Sequence, residues 1–225
     1  MSVTDGPPCP PSNELVDRLR TVVVAGHQGD AATAEAHLND DDGEIRAAAL
    51  SAMQRLGQCS AEHIRDAFGD PDPRVRARAG ELAIEVDGAS PGELLDDADA
   101  SVVEVACFAC GEISWGSEPA PIDKLGSIAT SHDDALCRES AAAALGAIGD
   151  PAGLDAVLVA CTDRVTVRRR ATLALAAFDD PRADEALRQA LDDKDWQVRQ
   201  AAEDLLEVNR VLDGPEDPSA YADNS

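Results

Sequence analysis

Two cysteines, Cys107 and Cys110, stand three residues apart and have the spacing of a redox pair or of half a metal site. A tetrahedral zinc site needs two more ligands, and the sequence places neither a second cysteine pair nor a histidine near them. Both cysteines fall in the middle of a predicted helix, and Cys110 stands where other repeats carry leucine. We therefore expect them to pack as small apolar side chains, and a thiol role is the alternative.

Other patterns that would indicate catalysis are missing from the sequence. There is no nucleophile with a base at readable spacing, no glycine-rich phosphate loop and no metal-binding motif. The sequence therefore predicts a protein that is not an enzyme, with no catalytic residues, no cofactor and no metal ligands.

Two clusters of arginines are candidate binding sites of a different kind. Each could attract an acidic partner, or each could pair with carboxylates close by in the sequence, such as Asp70, Asp72 and Asp163. We favour pairing within the chain. The clusters consist of Arg74, Arg76 and Arg78, and of Arg168, Arg169 and Arg170.

The overall charge limits the classes of partner. Acidic residues number 44 against 19 basic ones, which gives a formal charge of −25. Such a charge repels phosphate backbones and anionic lipid. No uncharged apolar stretch is long enough to span a membrane, and the proline-rich start does not have the pattern of a signal peptide. We expect a soluble, cytoplasmic protein with reduced cysteines, which binds neither nucleic acid nor membrane.

The kind of charge suggests a second explanation. Lys124 and Lys194 are the only lysines, whereas aspartate is abundant. This composition resembles that of cytosolic proteins from salt-accumulating halophiles. The resemblance implies that the acidic surface reflects a salty cytosol, where charge repulsion is screened. A role of the acidic surface in partner binding is the alternative.

A repeated segment accounts for most of the chain. Six similar stretches follow one another at intervals of 30, 27, 35, 30 and 31 residues, which is typical of two-helix repeats. The small aromatic fraction, 3%, and the abundance of alanine and leucine also favour closely packed helices. The stretches begin at Asp42, Asp72, Asp99, Asp134, Arg164 and Asp195.

The stretches share the features of a capped, amphipathic helix. An aspartate at the start can accept hydrogen bonds from the first free amides, and apolar residues follow at helical spacing. Asp150-Pro151 and Asp180-Pro181 are predicted to start two of the preceding helices. An arginine recurs at one position, and we expect these arginines to form a ladder with neighbouring aspartates. It is present as Arg46, Arg76, Arg138, Arg168 and Arg199, and is replaced by Val103 in the third repeat.

The clearest copy of the repeat, CRESAAAALGAIGDP at residues 137–151, resembles the HEAT-like repeats named after phycobilisome lyases. The resemblance extends over about residues 30 to 208. It implies an all-α fold, an α-α superhelix of about six two-helix repeats, and arrays of this kind mostly serve as scaffolds and adaptors.

Some branches of these repeats are enzymes, and their motifs are not present here. Deoxyhypusine hydroxylases bind metal through His-Glu dipeptides, whereas His27, His37, His63 and His132 are followed by other residues. Alkylpurine DNA glycosylases need a basic, aromatic-rich groove, which the charge disfavours. A bilin-lyase-like enzyme, a hydroxylase-like enzyme and a regulatory subunit of an enzyme remain alternatives to a scaffold.

The repeats also divide the chain into regions. Residues 1–12 are predicted to be a disordered tail, 13–29 a capping helix with a linker, 30–210 the repeat array, and 211–225 a disordered acidic tail.

In stacked helical repeats the second helices line a concave face, so their outward residues are the predicted contacts for an unidentified protein partner. Phe108 either meets that partner or packs against the next repeat. Trp115 lies in the longest insertion, residues 113–123. Trp196 is expected to shield the end of the core instead. We predict a monomeric scaffold that binds its partner through Arg78, Glu104, Phe108, Trp115, Glu139, Arg169, Arg170 and Leu173.

Overall fold

The structure is a computed structural model that describes residues 13–116 and 119–212, so the predicted tail at residues 1–12 and residues 213–225 of the predicted acidic tail lie outside it. Within this part the chain forms twelve α-helices and no β-strand. None of these helices is long and apolar enough to cross a membrane. The helices are α1 Asn13–Gln28, α2 Ala31–Ala36, α3 Gly43–Arg55, α4 Ala61–Phe68, α5 Pro73–Leu82, α6 Ala100–Glu112, α7 Ile122–Ser131, α8 Ala135–Ile148, α9 Leu154–Ala160, α10 Val165–Ala174, α11 Pro181–Ala190 and α12 Trp196–Leu212.

Aspartate caps set the starts of most of these helices. Each predicted cap of a second helix accepts a hydrogen bond from the amide two residues further on, which satisfies an amide that the helix itself leaves unpaired. Asp150 and Asp180 do the same before their prolines. Arg164, at the equivalent place before α10, makes no side-chain cap. The confirmed caps of second helices are Asp42, Asp72, Asp99, Asp134 and Asp195.

The described helices fall into two compact units, residues 13–90 and 91–212. In the first unit α3 packs between α1 and α5, while α2 contacts α1 and α3, and α4 contacts α5. Side chains from both sets of helices, including Val22, Ile45, Ile64 and Val75, are completely or almost completely buried. This alternation of helices about a shared core is that of an α solenoid.

The second unit repeats the arrangement with α6 and three helix pairs. Helices α6, α8, α10 and α12 each pack on the next, and α7, α9 and α11 form the other layer. Leu125, Leu145, Val167 and Leu187 fill the space between the layers with at most 1% of their surface exposed. The fold class is therefore all-α, of the solenoid type, as the sequence predicted.

Small residues allow the second helices of this unit to approach closely. A Cβ atom added at Gly146 of α8 would lie 2.6 Å from the Cβ atom of Ala174 on α10. One added at Gly111 of α6 would lie 3.0 Å from the Cα atom of Ala144 on α8. Both distances are too short for ordinary packing, so the absence of a side chain at these glycines fixes the spacing of the helices.

The third repeat differs from the other five. Its first helix is replaced by a single 3-10 turn, Pro91–Leu94, which packs against α6. The interval between Asp72 and Asp99, 27 residues, is the shortest in the chain and leaves too little length for a full helix. At the other end, α12 extends to Leu212 and includes two residues of the stretch predicted as a tail.

The predicted arginine ladder is confirmed at Arg46, Arg138 and Arg168. Arg46, Arg138 and Arg168 each hold a carboxylate of the following repeat with two hydrogen bonds of 2.5 to 3.0 Å, to Asp70, Asp163 and Asp193. Each arginine also donates to a backbone carbonyl in the turn before its own helix. The ladder thus connects successive repeats within a unit.

The missing arginine at Val103 coincides with a second change. Where Asp70 and Asp193 stand two residues before a cap, the fourth repeat has His132. Its Nδ1 atom accepts a hydrogen bond of 3.1 Å from the backbone amide of Asp134. The carboxylates of Asp70 and Asp193 accept the equivalent hydrogen bonds, from the amides of Asp72 and Asp195. The donor and the acceptor of the ladder are therefore absent together at this boundary.

Candidate functional site

The exposed side of the second helices in the second unit contains six of the eight predicted contact residues. Positions five and nine residues after the cap position point outward on α6, α8 and α10. We call this surface the partner face and define it by Glu104, Phe108, Glu139, Ala143, Arg169, Arg170, Leu173, Trp196, Gln200 and Asp204.

Three large apolar side chains of the partner face are open to solvent. Phe108 is 52% exposed, Leu173 49% and Trp196 63%. Phe108 is therefore not a core residue. The expectation that Trp196 shields the end of the core is wrong, because Val198, two residues further along α12, takes the buried position at 1% exposure. Residues two apart on a helix point to nearly opposite sides.

Leu173 and Trp196 line one open groove of about 450 Å³ across α8, α10 and α12. Glu139, Arg169 and Arg170 also line it, together with Gln200 and Asp204 of α12. A second hollow, between the ends of α8 and α10, shares Leu173 and Arg170 with the first and has an alanine-rich wall. The two hollows meet at Leu173 and Arg170.

The arginines of this groove already have acidic partners. Arg169 holds the carboxylate of Asp195 by hydrogen bonds of 2.8 and 2.5 Å, and Asp195 in turn caps α12. The hydrogen bonds from Arg169 lower the pKa of Asp195 to about 2. Arg170 lies 3.8 Å from Glu139 of α8. The cluster therefore connects three helices, and pairing within the chain describes it better than a free basic patch.

Two carboxylates of the partner face are bonded by neutral donors. The Ser140 hydroxyl donates to Glu104 at 3.0 Å, and the Gln200 amide donates to Asp204 at 2.9 Å. These bonds orient both carboxylates but leave their charge in place. The partner face thus combines exposed apolar side chains with negative charge.

The first arginine cluster, which includes the predicted contact Arg78, lies in the first unit. Arg78 pairs with Glu81 one turn along α5. Arg74 holds the cap Asp72 at 2.7 Å and lowers the pKa of that carboxyl to about 2. Arg76 donates to the carbonyl of Asp70 at 2.8 Å. Arg74 and Arg76 therefore fasten the start of α5.

Trp115, the predicted contact in the insertion, folds back toward α6. Its indole N–H donates to the carbonyl of Cys110 at 3.0 Å, near the C-terminal end of the helix, and the ring is half-buried. This bond satisfies a carbonyl that the helix end leaves free. The geometry gives Trp115 a structural task, and its role in binding stays a prediction.

The two cysteines that suggested thiol chemistry are fully buried at 0% exposure. Burial raises the pKa of Cys107, and raises that of Cys110 to about 12. Neither thiol would be ionised near neutral pH, and neither is accessible to a reagent. Both side chains lie on the buried side of α6, as expected from the sequence.

A larger hollow in the first unit, about 580 Å³, is lined by acidic side chains and His63. Its inner carboxylates are already bonded, because Arg46 holds Asp70 and Arg18 holds Asp40 at 2.6 Å. No group of three or more histidine, cysteine or acidic residues in the described ranges could hold a metal ion.

The stacked helix pairs define the class of protein, a helical-repeat protein. The model of HEAT repeats matches residues 91–166 and 122–207, which together span more than half of the 225 residues. The chain belongs to the HEAT repeat family. No curated protein matches it.

Solved structures agree with this fold. Two engineered proteins with crystal structures from the Northeast Structural Genomics Consortium are similar to the chain. One is 20% identical, with a TM-score of 0.57 over 79% of this chain and 95% of its own. The other is 23% identical, with a TM-score of 0.61 over 79% of this chain and 97% of its own. Likeness at this level of identity concerns the fold alone.

Proposed function

We propose that the protein is a non-catalytic scaffold that binds a protein partner through the partner face. The observation that carries the proposal is the groove with Leu173 and Trp196, two large apolar side chains exposed side by side on neighbouring helices. Exposed aromatic and aliphatic side chains in a shallow groove are typical anchors of protein interfaces.

Ion pairs between the helices around the groove support the same proposal. Arg169 ties α10 to α12 and Arg170 approaches α8, so these pairs link the three helices that form the groove wall. A preformed surface loses little conformational entropy on binding. The HEAT repeat fold fits the proposal, because stacked repeats present extended surfaces of this kind.

The remaining parts of the proposal concern the type of HEAT-like repeat and the cellular environment of the protein. We place the repeats near the phycobilisome-lyase type because of the segment at residues 137–151. The buried, neutral thiols of Cys107 and Cys110 favour a scaffold over a lyase-like enzyme. The aspartate-rich, lysine-poor composition fits a cytoplasm with high salt.

Affinity capture from source cytosol tests the proposal when matched variants are compared. Leu173→Ser and Trp196→Ser each remove an exposed apolar side chain of the partner face. Val159→Ser is the control, because Val159 on α9 is 52% exposed and lies in the other helix layer. We expect a stoichiometric partner with the unaltered protein and the control, and its loss with both face variants. Equal capture by all variants would contradict the proposal.

A further inference from the structure

We propose that the partner segment seated on the partner face is basic and carries a bulky apolar side chain that inserts between Leu173 and Trp196. The inference rests on the proposed function and adds the chemistry of the partner. Three observations carry it: the exposed apolar pair, the state of the charges around it, and the charge of the whole chain.

The apolar pair defines the anchor. Leu173 lies at the junction of the two hollows, and Trp196 forms the wall of one of them at the start of α12. The groove that both side chains line has a volume of about 450 Å³, which is larger than a leucine or an aromatic side chain. Burying such a side chain against a tryptophan face removes apolar surface of both partners from water.

The charges around the anchor select a basic segment. Both arginines that line the groove are committed to carboxylates, Arg169 to Asp195 and Arg170 to Glu139. Asp204 in the groove and Glu104 beyond it on α6 are bonded by neutral donors and keep their charge. An acidic segment would have to break existing ion pairs, whereas a basic one finds carboxylates without cations.

The charge of the whole chain points the same way and disfavours a second copy as the occupant. At a formal charge of −25, a second copy would bring the same sign of charge to the contact, whereas a cationic segment brings the opposite sign. A chain that is negative overall and exposes Leu173 and Trp196 in a groove is complementary to a cationic, amphipathic segment.

Three synthetic peptides test the inference by fluorescence anisotropy at moderate salt. One alternates arginine with leucine, the second has glutamate in place of arginine, and the third has glycine in place of leucine. We expect the first to bind at least about tenfold more tightly than the others. Leu173→Ser and Trp196→Ser should weaken its binding by about tenfold, whereas Val159→Ser should leave it within about twofold.

A charge variant with its own control completes the test. Asp204→Asn should weaken binding of the arginine–leucine peptide by about threefold. The control is Asp123→Asn, which changes an exposed aspartate of α7 in the other layer and should have a smaller effect. Equal effects of Leu173→Ser and Val159→Ser, or tight binding of the glutamate peptide, would overturn the inference. So would a dimer in sedimentation that Leu173→Ser dissociates.

The outcomes separate this inference from the proposed function. If cytosolic capture depends on Leu173 but the arginine–leucine peptide does not bind, the partner face is a binding surface and the assigned chemistry is wrong. If neither capture nor peptide binding depends on Leu173, both proposals fail.

Discussion

Val167 and Leu173 belong to the same helix, α10, yet the first is fully buried and the second is 49% exposed. Arg168 and Arg169 differ in a similar way. Arg168 belongs to the ladder and holds the half-buried Asp193, whereas Arg169 lies at the groove and holds the cap of α12. One side of α10 therefore maintains the stack of repeats, and the other side presents a surface. Substitutions on the buried side should mainly lower stability, whereas substitutions on the exposed side should mainly weaken partner binding.

The largest expected effect comes from Val167→Asp. A carboxylate at this site would be buried without a partner, and we expect the free energy of unfolding to fall by about 4 kcal/mol or more. Leu173→Asp is the matched change on the exposed side and should stay within about 0.5 kcal/mol. Urea unfolding followed by circular dichroism measures both. Similar losses for the two variants would mean that the sides of α10 are not distinct.

Removing a ladder arginine should have the next largest effect. Arg168→Met leaves the carboxylate of Asp193 partly buried and without its two hydrogen bonds, which we expect to cost about 2 kcal/mol. Arg164→Met replaces an exposed arginine of the same segment and should cost much less. A double-mutant cycle with Asp193→Asn isolates the pair, and a coupling energy near zero would show that the ladder is not a stabilising element.

The pair of Arg169 and Asp195 should appear as a pH dependence. The pKa of Asp195 is about 2 in the folded protein, below the ordinary aspartate value of about 3.9 in the unfolded chain. Its contribution to stability is therefore fully present above about pH 4 and is lost as the pH falls toward 2. The difference in thermal midpoint between the unaltered protein and Asp195→Asn should narrow over that range. A difference that is constant with pH would contradict the ion pair.

The smallest effect on stability is expected for Phe108→Ala. Phe108 is 52% exposed, so its truncation should change the free energy of unfolding by less than about 0.5 kcal/mol. Partner capture should nevertheless weaken, because Phe108 extends the apolar surface onto α6. Differential scanning calorimetry together with capture makes the comparison. A collapse of the fold would place Phe108 in the core.

The sequence was a good guide wherever the repeat determines a contact. Caps such as Asp72 and ladder arginines such as Arg138 recur with the period of the repeat, so their positions could be inferred from spacing. The family resemblance added the pairing of helices. The exposure of Leu173 followed from its register in the same way.

The sequence was a poor guide where one repeat departs from the others. The 3-10 turn at Pro91–Leu94 was signalled only by a short interval, and the exposure of Trp196 depended on Val198 taking the core position beside it. The pairing of Arg169 with Asp195 joins residues 26 positions apart, and several acidic residues were equally available in the sequence. Such choices are made by packing in three dimensions, which spacing along the chain does not reveal.

The ladder has a consequence for rearranging the chain. Each link takes its donor from one repeat and its acceptor from the next, as Arg138 and Asp163 do, so a duplicated fifth repeat would bring both halves of a matching joint. The boundary between the third and fourth repeats is different, because Val103 stands in place of the donor arginine and His132 in place of the acceptor aspartate. A repeat inserted at that boundary must therefore have neither the ladder arginine nor the ladder aspartate. Otherwise its arginine or its aspartate will have no ladder partner in the neighbouring repeat. The protein therefore contains two incompatible types of joint, and they define which modules can be exchanged.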